Sequence, residues 1–463
     1  MQTEDVLVPR RQVADVLAAL RAFVCGDVFM LLVCLMTYGF LVFGQTVGAF
    51  CTLFALLILL LFLMDDTLPL LLPFLLLLAV SLLMEKEMAE YPWLFFFAVP
   101  AVPALLFRLL RGLPRARRGG TFYPLIGVSL AVALGGVGHL SPDLYFSAAS
   151  FYHIAGLGVC MVFFYLLFAG GADAERTYDA RDKFAMSFYL LGVFLAFLIL
   201  RVYLSHVDWL EGGGIVAYRL GWDMPWRNVV SNLIVLLLPF IFYYARRHGA
   251  VHLLSACLVY LGGVFSTSRG ALICGGVMMV LGFFYVAYGR PHALRATVAL
   301  LAALFLFGAV FYPHLHAFAD RFLRVDGEID WKEFFSSARV KLARHSLDDF
   351  LSSPLVGMGL GNHIYSTEAT VGAFCIEYYH SLLPQILGSL GLCGVAAYGF
   401  QFYRRLRALL AAPRDAFTAA AALSYFGMLM YAQVDPSIFS PLPFAALAVL
   451  LFVAVERHTA AAV

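Results

Sequence analysis

The sequence is short of charge. Asp, Glu, Lys and Arg make up 13% of its 463 residues, about half the roughly 25% share of soluble domains. Hydrophobic residues make up 62%. Polar side chains are too few to cover a water-facing globule, so the chain must be solvated by lipid. It also lacks a charge excess. A formal net charge of +2 provides no electrostatic footprint for nucleic acid. Cysteines suited to a disulfide scaffold are missing. Seven of the eight (Cys25, Cys34, Cys51, Cys160, Cys257, Cys274 and Cys393) lie inside apolar runs, and Cys375 alone stands near a long polar loop. No Walker loop, nucleotide-binding Gly fingerprint on a strand or metal-protease motif occurs. An ATP motor and a nucleotide-sugar substrate are therefore disfavoured. Acids within apolar runs, which line ion-coupled transport paths, are scarce, Asp27 being the main exception.

What the sequence has is apolar runs. Segments long enough to cross a hydrocarbon core of about 30 Å recur near 23–43, 45–63, 67–84, 91–110, 121–139, 147–169, 183–204, 228–245, 250–268, 270–288, 292–312, 378–400, 415–434 and 437–456. Lipid cannot satisfy an open backbone, so each is expected to be a helix. The expected fold is all-α: a polytopic membrane protein of about fourteen transmembrane helices, residues 1–463 forming a single transmembrane domain. Only Gly44 separates the first two runs, and the Thr267–Gly270 turn separates the ninth and tenth. The first run follows a polar start containing Arg10 and Arg11, which does not read as a cleavable signal peptide.

Lys and Arg set the orientation. With the N-terminus inside, 20 of the 31 cations fall on inner segments. Clusters include Arg108 to Arg118, Arg246-Arg247 and Arg404-Arg405-x-Arg407. Six more lie in one long loop, where the positive-inside rule is weak, leaving Lys86, Arg201, Arg219, Arg227 and Arg269 as the outer remainder. Both termini are then cytoplasmic. Two outer loops are long, near 205–227 and 313–377. The second joins helices 11 and 12. In it Val340, Ala343, Leu347, Phe350 and Leu351 share one face of an amphipathic helix that Pro354 ends. This segment reads as a folded helical cap outside the membrane (periplasmic or extracellular).

The outer cations carry the chemical interest. Arg269 sits in Ser266-Thr267-Ser268-Arg269-Gly270, squeezed between two spans and against the positive-inside bias. Its small neighbours let a bulky anion approach backbone N–H groups at a helix start. Arg219 and Arg227 flank Asp223 and Pro225 in the loop before another helix. One of them can pair with Asp223 as a structural ion pair. Two outward guanidinium groups at helix starts suit a pyrophosphate, whose oxygens they match bidentately. His380 follows Glu377-Tyr378-Tyr379 where the long loop re-enters the membrane. Imidazole has a general base's pKa unaided, and Glu377 can orient the ring or act as base itself. His314-x-His316 lacks a third metal ligand, Asp65-Asp66 reads as a helix-capping turn, and Asp348-Asp349 reads as the polar side of the loop helix.

In order and outer placement, these elements resemble the O-antigen ligase and O-antigen polymerase superfamily of bacterial membrane glycosyltransferases. Ser266-Thr267-Ser268-Arg269-Gly270 is similar to its Ser-Arg-Gly signature opening a helix. Arg219-x-Gly221 with Asn228 and Pro239 is similar to its preceding element. Ser337-Ala338-Arg339 and Ser353-Pro354-Leu355-x-Gly357-x-Gly359 resemble the two ends of its outer loop. His380-Ser381-x-Leu383 with Gly388-x-x-Gly391-Leu392 resembles its His-Asn-x-Leu element, with Ser381 in place of the Asn. The likeness covers roughly 200–400.

The resemblance implies a glycan donor on undecaprenyl pyrophosphate, a glycan or lipid A-core acceptor, and transfer at the outer face of the bacterial inner membrane. It implies that Arg219 and Arg269, with Arg227 and Arg339 nearby, hold the pyrophosphate, and that His380 activates the acceptor hydroxyl. No metal or other cofactor is called for, and no nucleic acid. The rival outside enzymes is a lipid-linked oligosaccharide flippase or polysaccharide exporter, which would line a path between helices with charge. A peptidoglycan polymerase is disfavoured by the Ser-Arg-Gly turn.

Overall fold

The computed structural model describes residues 7–84, 92–171, 178–205, 207–208, 214–215, 227–266, 268–310, 337–362 and 379–462. Each of the fourteen apolar runs falls on helix there. Among the described residues, seven helices are long and apolar enough to cross a membrane, or eight if a bent pair near the N-terminus is one span. Four further apolar helices are shorter, among them Phe122–Leu134 and His252–Phe265. A helix rises about 1.5 Å per residue, so these are well under the hydrocarbon thickness. The expectation of fourteen full-length spans therefore stands only in its coarser form, an all-helical fold with several membrane spans. The described strands are a two-residue antiparallel pair, Val207 opposite Ile215 and Asp208 opposite Gly214.

The chain clusters into two compact units. The first comprises Met1–Arg117 and Leu166–Phe194. It contains α1 (Leu7–Cys25), α2 (Asp27–Val42), α3 (Thr46–Leu63), α4 (Leu71–Leu83) and α5 (Ala98–Gly112). Gly44, at φ 71°, makes the turn between α2 and α3. Asp66 accepts from the Leu68 N–H at 3.0 Å, as a capping turn should. Asp65 does more than cap. It lies 3.0 Å from Arg111, 3.7 Å from the buried Arg108 and 3.8 Å from Arg21. Asp27 is no buried acid: it is largely exposed at the start of α2 and pairs with Lys183 at 3.2 Å.

The second unit, Arg118–Tyr165 and Leu195–Val463, carries every candidate site residue. Its helices are α6 (Phe122–Leu134), α7 (Ser150–Gly171, continuing into the first unit), α8 (Ala180–Ser205, which enters from the first unit), α9 (Arg227–His248), α10 (His252–Phe265), α11 (Arg269–Ala287), α12 (Pro291–Val310), α13 (Ser337–Ser352), α14 (Leu382–Ala411), α15 (Ala416–Tyr431) and α16 (Ala446–Ala462). Helix α9 is apolar around most of its circumference and buries every side chain from Val230 to Tyr243, so it is the core element.

Hydrogen bonds tie the helix ends into two opposite groups. At one end the start of α9, the start of α11 and the end of α15 meet through Asn228, Ser268 and Tyr431. At the other, Arg246 of α9 donates to the Tyr285 carbonyl of α11, and Tyr285 Oη donates to Ala416 O of α15 at 2.9 Å. There too His458 of α16 meets the Asp415 carboxylate at 2.6 Å. Thus α9 and α11 run parallel, and α15 runs against them. Helix α6 starts at the Asp415 end, where Thr121 N–H donates to Glu456 at 2.7 Å.

Candidate active site at the helix starts

Ser268 is the N-cap of α11. Its Oγ accepts from the Ala271 N–H at 3.5 Å, donates toward Asn228 Oδ1 at 3.3 Å and lies 3.0 Å from Tyr431 Oη. Tyr431 Oη donates to the Asn228 carbonyl at 3.1 Å. Beneath this cap, Ser266 Oγ donates to Gly263 O at 2.6 Å and sits 2.7 Å from Ser231 Oγ. Ser231, Ser266, Ser268 and Tyr431 are all buried. Gly270 is required by the same packing, since a Cβ there would lie 2.8 Å from the Tyr431 ring. The small residues around Arg269 are thus consumed by a cap that fixes the backbone. Arg269 itself is half-buried in the first turn of α11. A cation there opposes the helix dipole, at a cost of about 0.3–1 kcal/mol. Helix stability does not explain its placement.

His380 stands one residue before the N-cap of α14. Its φ of 52° is the one positive value at a non-Gly residue among those described. A left-handed L-residue costs roughly 1–2 kcal/mol. Its neighbours hold it there. Tyr379 N–H donates to Gln385 Oε1 at 2.8 Å, and Tyr379 Oη donates to Asp349 of α13. Gln385 N–H donates to Ser381 O at 3.0 Å. The Tyr379 ring packs on Gly388, where a Cβ would lie 2.9 Å from it. The His380 ring is exposed and makes no hydrogen bond to a described residue. A strained, clamped backbone bearing a free ring is the kind of outlier that points to function. Asp349 is fully buried as the anchor of Tyr379, which corrects its reading as part of a polar outer side. The apolar residues Val340, Leu347 and Leu351 of α13 are exposed instead.

Helix α14 is broken at Gly391, which has φ 58° and ψ −153°. Residues 354–359 fill the break by backbone hydrogen bonding. Met358 and Gly359 N–H donate to Gly388 O (2.9 Å) and Ser389 O (2.8 Å), while Leu392 and Cys393 N–H donate to Pro354 O (2.9 Å) and Leu355 O (3.0 Å). Two glycines make this possible. A Cβ on Gly391 would lie 2.6 Å from Pro354 O, and one on Gly357 would lie 2.3 Å from Ser389 C. Opened backbone at membrane depth is tolerated where protein satisfies it. The same segment reaches α6 and α7: Gly359 abuts Gly135, and Asn362 Nδ2 donates to Ser150 Oγ at 2.9 Å.

Arg269 and His380 lie at one end of the second unit. Helix α14 runs from His380 to the Asp415 end, and α15 returns from there to Tyr431 beside Ser268. Helix α6 likewise runs from Thr121 at the Asp415 end to Gly135 beside Ser389. Arg219 and Glu377 fall outside the described residues. Arg227 begins α9 and Arg339 lies in the first turn of α13, at positions whose side chains are also outside them. The loops near 205–227 and 313–377 are otherwise described only over the short strand pair and 337–362. Sequence reasoning missed Tyr431, Gln385 and the anchoring role of Asp349. Tyr431 ends a helix far along the chain and carries no local signal. Gln385 and Ser389 were legible only as one polar stripe at i, i+4 on α14.

Residues 250–399 match the family described as O-antigen ligase. That span takes in Arg269, Arg339, Glu377 and His380 and stops within α14. The resemblance to the O-antigen ligase and polymerase family is thereby shown over this third of the chain, in a protein with several helices long and apolar enough to cross a membrane. No curated protein and no solved structure matches the chain.

Proposed function

We propose that the protein transfers a preassembled glycan from undecaprenyl pyrophosphate to the hydroxyl of an acceptor sugar, at the outer face of the bacterial inner membrane. The acceptor is another lipid-linked glycan or lipid A-core, so the enzyme acts as an O-antigen polymerase or ligase. The observation that supports the reading is that Arg269 and His380 each stand at a clamped helix start, at the same end of the second unit.

In this scheme Arg269 and Arg219 hold the pyrophosphate, with Arg227 and Arg339 as further cations. As the anomeric C–O bond breaks, negative charge grows on the leaving pyrophosphate, and fixed guanidinium groups stabilise it in a low-dielectric site. His380, oriented by Glu377, takes the proton from the acceptor oxygen as the new bond forms. Attack opposite the leaving group inverts the anomeric centre. The scheme uses no metal or other cofactor.

The decisive variant is Arg269→Lys in purified protein. An ammonium keeps the charge but loses the bidentate geometry, so most turnover should disappear at equal folded protein. Wild-type turnover in that variant would remove the pyrophosphate clamp from Arg269.

A further inference from the structure

We infer that the second unit binds a small monovalent anion, of the size and charge of chloride, between α6, α14 and α16, against Arg405. Arg405 is 5% exposed. Its guanidinium lies 5.6 Å from the Tyr425 ring centre and 5.2 Å from that of Phe452. No described carboxylate pairs with it. Glu456, on the same stretch of α16, is held by Tyr165 Oη at 2.6 Å and Thr121 N–H at 2.7 Å.

The ring faces attract the cation, but they do not replace the water that a buried guanidinium loses, and that loss calls for a negative partner. Arg405 lines a cavity with Gln401 and Tyr398, at i, i+4 and i, i+7 on one stripe of α14. Gln401 is 4% exposed and makes no hydrogen bond to a described residue. Leu125, Met161 and Val449 close the other walls. The cavity volume is about 20 Å³, room for about one water-sized particle. That excludes a sugar, a nucleotide or an acyl chain. A monatomic anion between the guanidinium and the Gln401 amide fits size, charge and donors together.

The test is thermal unfolding of the full-length protein in detergent, with sodium chloride replaced by sodium gluconate at constant ionic strength. A ligand that binds only the folded state raises the melting midpoint as its concentration rises. Chloride and bromide should raise it and gluconate should not. Arg405→Met, which removes the charge and keeps the bulk, should abolish the halide dependence. Gln401→Leu should shift that dependence to at least about threefold higher chloride, and it serves if Arg405→Met does not fold. A wild-type midpoint indifferent to halide would overturn the inference, water then filling the cavity. So would a halide dependence that survives in folded Arg405→Met or is unchanged in Gln401→Leu. A rise produced by phosphate and not by chloride would replace the halide with an oxyanion and overturn it equally.

Discussion

At the scale of single residues, the two described candidates hold positions that local backbone energetics disfavour. Arg269 opposes a helix dipole, and His380 occupies the left-handed region. Both invite variants that separate folding from chemistry. His380→Gly removes the Cβ that makes φ 52° costly, so it should stabilise the protein by roughly 1 kcal/mol, read as a higher melting midpoint. The same variant, like His380→Ala, should lower turnover by about 10²–10⁴-fold while donor binding survives on the arginines. A folded His380→Ala protein with normal turnover would leave Glu377 as the next candidate base. Tyr431→Phe should act oppositely. It deletes the hydrogen bond to the Asn228 carbonyl and the polar contact with Ser268 Oγ, at about 1 kcal/mol of stability, and it should loosen Arg269 enough to raise the donor KM. An unchanged KM would make Tyr431 a packing residue only.

At the scale of elements, α14 is the informative one. Its motif glycines exist to let backbone meet backbone across the break at Gly391. Gly391→Ala should cost more than about 1 kcal/mol, because it adds a Cβ at positive φ against Pro354 O. Limited proteolysis near residue 355 should speed up in that variant, and unchanged protection would count against the docked segment. Asp415, the N-cap of α15, allows a pH test. Its burial raises the carboxyl pKa, but the Thr418 N–H and His458 outweigh that and hold it below the ordinary carboxylate range. Its stabilisation is therefore present at neutral pH and lost as pH falls through that lowered range. Asp415→Asn should flatten this acid limb of a melting-midpoint profile. The sequence revealed such elements unevenly. Apolar runs located most of the described helices, but α1 was missed because its start is polar, and α13 was read from an amphipathic pattern; Gly44, the 266–270 turn and Pro354 marked real ends. The broken helix was not legible, because backbone pairing between residues 354–359 and 388–393 leaves no side-chain pattern. The buried face of α13 misled for a related reason: it is polar, built on Ser346 and Asp349, while its apolar stripe is exposed.

At the scale of the whole molecule, the proposed reaction depends on which end of the second unit faces which compartment. The two ends differ in charge. Arg246, Arg290 and Arg404 gather at the end that holds Asp415 and His458, where Arg290 donates to Arg246 O and Arg404 to Gly120 O. Arg269 and His380 lie at the opposite end, with residues 353–362. The positive-inside rule counts cations close to the ends of membrane helices. By that rule the proposed topology has the Arg246 end in the cytoplasm and the Arg269 end outside. The proposed transfer requires this orientation, because the acceptor it invokes is reached from the outer face. A reporter that is active only outside, fused near residue 345, should be active, and the same reporter at residue 412 should be silent. A cysteine placed at 355 should react with an impermeant reagent in intact spheroplasts, whereas one at 414 should react only after lysis. If the 345 fusion works only in the cytoplasm, Arg269 and His380 face the wrong compartment, and the transfer reaction fails together with the topology.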